Sequence, residues 1–181
     1  MNKEEQIFLN DFLENGYSIF DVENLSFLNT LKSQVSDQLS CKNLETLHKS
    51  INYNEINDKR IGCYRSINKI NHWEENYFSL ASKKLYSLLG PDISIQSKLN
   101  LSIQMPNDNS SVLDMHTDAL SGQSVFEIVL WVPLTRAFNS NAMYIFPIEK
   151  TYKILKMLKA SENKGMKNLF NEYKEYARFL K

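Results

Sequence analysis

Apolar residues fall at helical spacing at the start of the chain, where Ile7, Phe8, Phe12 and Leu13 share one side of residues 3–14. Asn15-Gly16 stops this helix, and Tyr17-Ser18-Ile19-Phe20 reads as a short strand. A second helix, capped by Asn24 or Ser26, carries Phe27, Leu28, Leu31, Val35 and Leu39 as a stripe to about Ser40. The pattern then weakens: a short helix is predicted at 44–50, and the polar run 52–59 reads as a long connection or lid. A third helix over 76–89 is ended by Gly90-Pro91. Residues 93–105 alternate as a strand does, with Ile95, Leu99, Leu101 and Ile103 apolar, and Pro106-Asn107-Asp108 closes it. Residues 125–134, bounded by Gly122 and Pro133, are strongly β-forming, and 142–146 are a second such run. Asn139-Ser140-Asn141 supplies the turn of an antiparallel hairpin between them. Beyond Pro147 helical spacing returns, in Tyr152, Leu155, Met157 and Leu158 and, past Gly165, in Met166, Leu169, Phe170, Tyr173, Tyr176 and Phe179. No repeat or interdomain linker interrupts this succession, so residues 1–181 are expected to form one domain.

Composition narrows the function classes. With 43% hydrophobic and 23% charged residues in a length of 181, the chain has enough apolar side chains for a real core. Lys+Arg and Asp+Glu balance at 21 each, which leaves no basic field for nucleic acid or anionic lipid. No stretch approaches the ~20 apolar residues that span a bilayer, and the charged first turns do not read as a secretory signal. Cys41 and Cys63 match no metal or redox spacing and are expected as reduced thiols of a cytoplasmic protein.

Candidate chemistry sits between 110 and 147. In an extended segment residues i and i+2 point to the same side, so His116 and Asp118 can reach one metal ion. An oxygenase iron needs imidazole and carboxylate ligands on one face and open positions opposite, and His-x-Asp supplies two of the three ligands. By chance, three histidines and 21 acids produce such a pair roughly one time in three, so the surroundings carry the weight. Two other groups have simpler readings. His72-Trp73-Glu74-Glu75 is a helix start with acids at the positive end of the dipole. Lys150, Lys153, Lys156 and Lys159 make a solvated helix face.

After His116-Thr117-Asp118 come Ser121-Gly122-Gln123-Ser124, Phe126-Glu127-Ile128-Val129-Leu130-Trp131-Val132-Pro133-Leu134 and Asn141-Ala142-Met143-Tyr144-Ile145-Phe146-Pro147. This succession resembles the phytanoyl-CoA dioxygenase-like superfamily of Fe(II), 2-oxoglutarate-dependent oxygenases. It is most similar to a bacterial branch found in carbohydrate-biosynthesis gene clusters. Leu99-Asn100-Leu101-Ser102-Ile103-Gln104 and the opening Phe12-Leu13-Glu14-Asn15-Gly16-Tyr17-Ser18-Ile19-Phe20 extend the likeness over about residues 8–150. The resemblance implies an α+β fold, a double-stranded β-helix (the cupin-like jelly roll) with N- and C-terminal helices packed on it. It implies His116 and Asp118 as iron ligands and 2-oxoglutarate as co-substrate. Gln104 is expected at the oxo-acid or facing solvent, Trp131 in the core or on the cofactor wall, and the resemblance implies hydroxylation or a related oxidation of a small or sugar-derived substrate.

The family's distal histidine, and the arginine that pairs with 2-oxoglutarate, have no counterpart after Asp118. His48 and His72 precede the motif, Arg136 is expected in a turn and Arg178 in a terminal helix. The chain is thus expected to be a C-terminally truncated member whose barrel is incomplete, completed in trans if a separate C-terminal fragment exists. Its status as an enzyme is open. The alternatives are a non-catalytic remnant and a cupin-like small-molecule or carbohydrate-binding module.

Overall fold

A computed structural model of the chain describes residues 2–111, 116–118, 122–160 and 178–179. Among them the α-helices are α1 (Lys3–Asn15), α2 (Leu25–Leu39), α3 (Ile56–Ile67), α4 (Trp73–Phe78), α5 (Ser82–Leu89) and α6 (Ile148–Ala160), and the short helix expected over 44–50 is a 3-10 helix, Leu44–Lys49. The strands are β1 (Tyr144–Ile145) and β2 (Arg178–Phe179), which pair antiparallel with Tyr144 opposite Phe179 and Ile145 opposite Arg178. The chain divides into two compact units. The first comprises Met1–Asn10, Ile19–Ser111 and Leu134–Arg136, and the second comprises Asp11–Ser18, Val112–Pro133 and Ala137–Lys181.

The expected jelly roll is corrected by this architecture. The described chain is mostly helical, and its strands amount to one pair of two-residue segments.

The first unit is built on α2 against α3. Asn24 caps α2 as its pattern predicts: its side-chain oxygen accepts from the Phe27 amide at 3.1 Å, satisfying one of the amides the first turn leaves open. Ser40 closes the helix in a left-handed conformation. The i, i+4 stripe Phe27, Leu31, Val35 and Leu39 is buried throughout. Its partner α3 lies where a connection or lid was expected, because its inward face is sparse: Ile56, Cys63 and Ile67, with Ser66, are its buried positions among polar neighbours. Burial pushes the Cys63 thiol up to about 11, against a smaller downward pull from Lys59. Both cysteines are buried and free.

The single helix expected over 76–89 is two, broken around Leu80. Leu80 is buried, and its carbonyl accepts from the Glu23 amide at 2.9 Å. The Glu23 carboxylate in turn accepts from the Lys83 amide and the Ser82 hydroxyl, so α5 starts on a cap supplied from a distant segment. Tyr77, on α4, has its phenol pushed up to about 12 by burial.

Residues 93–105, expected as a strand, pair with side chains instead. At Leu99 the Asn68 amide group serves as a ladder rung: Oδ1 accepts from the Leu99 N–H at 2.7 Å and Nδ2 donates to the Leu99 carbonyl at 2.9 Å. At Ile103 the carbonyl accepts from Arg60 Nε at 2.9 Å. Buried backbone polar groups must be paired, and here the end of α3 does what a neighbouring strand would do. The Arg60 guanidinium also donates to Asp108 Oδ2 at 2.7 Å, to Asn57 and to the Ser110 and Ser111 hydroxyls. Hydrogen bonds from Ser110, then from Arg60, hold the Asp108 carboxyl down at about 2.

In the second unit Gly16 ends α1 at φ +79°, and a Cβ there would meet Ile148 Cγ1 at 3.0 Å. A glycine both permits this turn and lets the first residue of α6 approach. Residues 17–20 are not a strand. Nor does the expected hairpin form. Ser124 gathers the start of the run into a turn, accepting from the Phe126 and Glu127 amides at 3.1 Å each, and β1 pairs with β2 instead. Arg178 and Phe179 therefore lie in a strand, not in a terminal helix. The other positions of that helix, Met166, Leu169, Phe170, Tyr173 and Tyr176, lie outside the described residues.

Two outcomes test this construction. Truncating Leu80 to alanine should destabilise the protein by about 2–5 kcal/mol in urea unfolding, the usual cost of emptying a fully buried leucine site. Because Asp108 is held below its ordinary 3.8, its contribution is fully present above that pH and disappears as pH falls towards 2. Urea midpoints of wild type and Asp108→Asn should accordingly differ at pH 6 and draw together as pH falls from 4 towards 2; a gap undiminished at pH 2 would contradict the clamp.

Candidate functional site

The His-x-Asp spacing places two metal-ligand groups together in the second unit. His116 Nε2 lies 3.5 Å from Asp118 Oδ1, and the side chains are 43% and 47% exposed. Just after them the Gln123 amide donates to the Asp118 carbonyl at 3.0 Å, and Gly122 takes φ +96° to make that return. Two cis ligands each ~2.1 Å from one ion are about 3.0 Å apart, so a small side-chain rotation brings this pair to chelating distance.

Among the described residues no group of three or more His, Cys, Asp and Glu side chains gathers in a way that could hold a metal. His48 and His72 belong to the first unit. The His72 ring sits 3.4 Å from Glu75 at the start of α4, and Glu74 and Glu75 occupy that helix's first turn. The described residues thus fit a divalent ion as a two-ligand clip of imidazole and carboxylate. They do not by themselves make the three-ligand face of an oxygenase.

Trp131 shares the second unit with this pair, 41% exposed. Gln104 belongs to the first unit, with an exposed side chain on the segment anchored by Asn68 and Arg60. From Glu127 to Pro133 burial alternates residue by residue, with Ile128, Leu130 and Val132 the more covered. The period-two pattern is therefore real, although no sheet forms on it. Lys150, Lys153 and Lys156 lie along α6, with Lys153 and Lys156 exposed, while the side chain of Lys159 lies outside the described residues.

Sequence patterns gave no warning of a groove of about 220 Å³ in the first unit. Lys32 and Ser36 of α2 line it one turn apart, Lys42, Asn43 and Glu45 follow from the turn after that helix, and Thr135 closes it. The stripe on α2 draws attention to its apolar face, and these residues lie off it. Thr135 arrives from a segment nearly a hundred positions away, held because Glu45 Oε1 accepts from the Arg136 amide at 2.6 Å.

Comparison with protein-family models, with curated proteins and with solved structures finds no match to this chain.

The two tryptophans offer a direct check on the burial described. Trp73 is 4% exposed and Trp131 is 41% exposed. Acrylamide should quench the emission in two components, and Trp131→Phe should remove the accessible one. A single accessible component in that variant would overturn the placement.

Proposed function

We propose that the chain is an Fe(II)/2-oxoglutarate oxygenase-like protein, cytoplasmic, in which His116 and Asp118 hold the metal and a small, sugar-derived molecule is the substrate. The observation that carries this reading is the 3.5 Å approach of His116 Nε2 to Asp118 Oδ1 on a half-exposed surface, within a sequence that resembles that superfamily. The two buried free thiols and the balanced charge agree with a cytoplasmic protein that handles small molecules. No helix among the described residues is long and apolar enough to cross a membrane.

When bound, Fe(II) and 2-oxoglutarate would supply electrons that activate dioxygen, the oxidant, for attack on an unactivated C–H bond. The chain's own contribution at this site is binding and charge. His116 offers the Nε2 lone pair only when that nitrogen is unprotonated, so protonation of the imidazole competes with metal. Asp118 adds one negative charge and so favours a dication over a proton at the same place. The one-residue Thr117 spacer leaves both donors within 3.5 Å of each other, so that one ion could meet both.

The metal reading is tested by an anaerobic absorption titration with ferrous iron and 2-oxoglutarate. Wild type should develop a visible charge-transfer band, and His116→Ala should abolish it. An unchanged band in His116→Ala, or no band in wild type, would overturn the assignment.

A further inference from the structure

The lining of the first-unit groove is rich in donors that the protein leaves unused. Neither Lys32 nor Lys42 pairs with a carboxylate among the described residues, and neither the Ser36 nor the Thr135 hydroxyl has a described partner. Asn43 uses its side-chain oxygen to accept from the Glu45 amide at 3.1 Å, which leaves its NH₂ group available. The residues that line this one small space therefore carry two ammonium groups, two hydroxyls and an amide NH₂. The countervailing acceptor is Glu45, with one oxygen already occupied by the Arg136 amide.

We propose that this groove binds a small phosphate monoester that also carries hydroxyl groups. A phosphate monoester bears about −1.5 to −2 charges at pH 7 and three acceptor oxygens, which matches two lysines flanked by neutral donors. Leu44 and Leu134 complete the lining and offer apolar contact to the carbon skeleton, while the second Glu45 oxygen can accept from a hydroxyl. At about 220 Å³ the space is below the ~300–1,000 Å³ usual for drug-sized ligands, which favours a compact molecule. The site is independent of the metal reading: it stands on residues of the first unit alone, whereas His116 and Asp118 belong to the second.

The test is an amide-resolved NMR titration of the full chain with glucose 6-phosphate, inorganic phosphate and glucose. Glucose 6-phosphate should give saturable shifts at Lys32, Ser36, Lys42, Asn43 and Thr135, inorganic phosphate weaker shifts at the same amides, and glucose none. Replacing both lysines, Lys32→Ala with Lys42→Ala, should weaken glucose 6-phosphate binding about tenfold or more, since each removes a charge-assisted hydrogen bond. The arginine pair, Lys32→Arg with Lys42→Arg, should keep binding within about threefold. If the alanine pair fails to fold, the exposed Lys42→Ala and Thr135→Ala single variants serve, each expected to weaken binding severalfold. The proposal is overturned by an absence of saturable shifts with either phosphate compound, by equal binding of glucose, or by affinity indifferent to the lysines.

Discussion

A segment patterned like a strand but given no neighbouring strand must find partners for its backbone elsewhere, and the first unit depends on how that is solved. Asn68, at the end of α3, gives Leu99 both an acceptor and a donor, and Arg60 takes the carbonyl of Ile103. An amide side chain has the same donor and acceptor pair as a peptide group, so one asparagine can replace one rung of a ladder. These bonds bring Leu99 and Met105 into the core, where both are buried. The helix has to be correctly ended for this to happen, because Asn68 is its C-cap, and it must present Arg60 two turns earlier. Packing of α2 on α3 and anchoring of 93–111 are thus two uses of one element.

What was legible in the sequence follows the strength of the local signal. The α2 stripe lies within the helix's fifteen residues and its Asn24 cap stands next to them, and the element forms as its pattern predicts. Helix α3 was not legible, because a helix that buries few residues and meets its surroundings through Arg60 and Asn68 looks like a polar loop. Residues 93–105 and 125–134 show the opposite error. Alternation reports which side chains are covered, and at 127–133 it does so faithfully, but it carries no information about what lies at the strand's edges. Turns opened by Ser124 and side-chain clasps from α3 are long-range or competing local choices that alternation does not contain.

The candidate site was legible to the same depth. The meeting of His116 and Asp118 is a consequence of spacing by two and needs no knowledge of the fold. A third ligand, or a wall such as Gln104 or Trp131 would make, depends on elements brought together from afar, and a mostly helical chain assembles those differently from a barrel. The lysine-lined groove illustrates the point from the other side, since Thr135, which closes it, lies next to an Arg136 amide bonded to the distant Glu45.

The burial of Cys63 has a consequence for how this protein's motions can be read. Its side chain is fully enclosed, and its proton is retained to about pH 11, so the reactive thiolate is scarce and out of reach at once. An alkylating or oxidising reagent at neutral pH must wait for α3 to lift from its neighbours. The rate at which Cys63 becomes labelled is then set by opening of the interior and not by collisions at the surface, which makes this thiol a built-in clock for local unfolding.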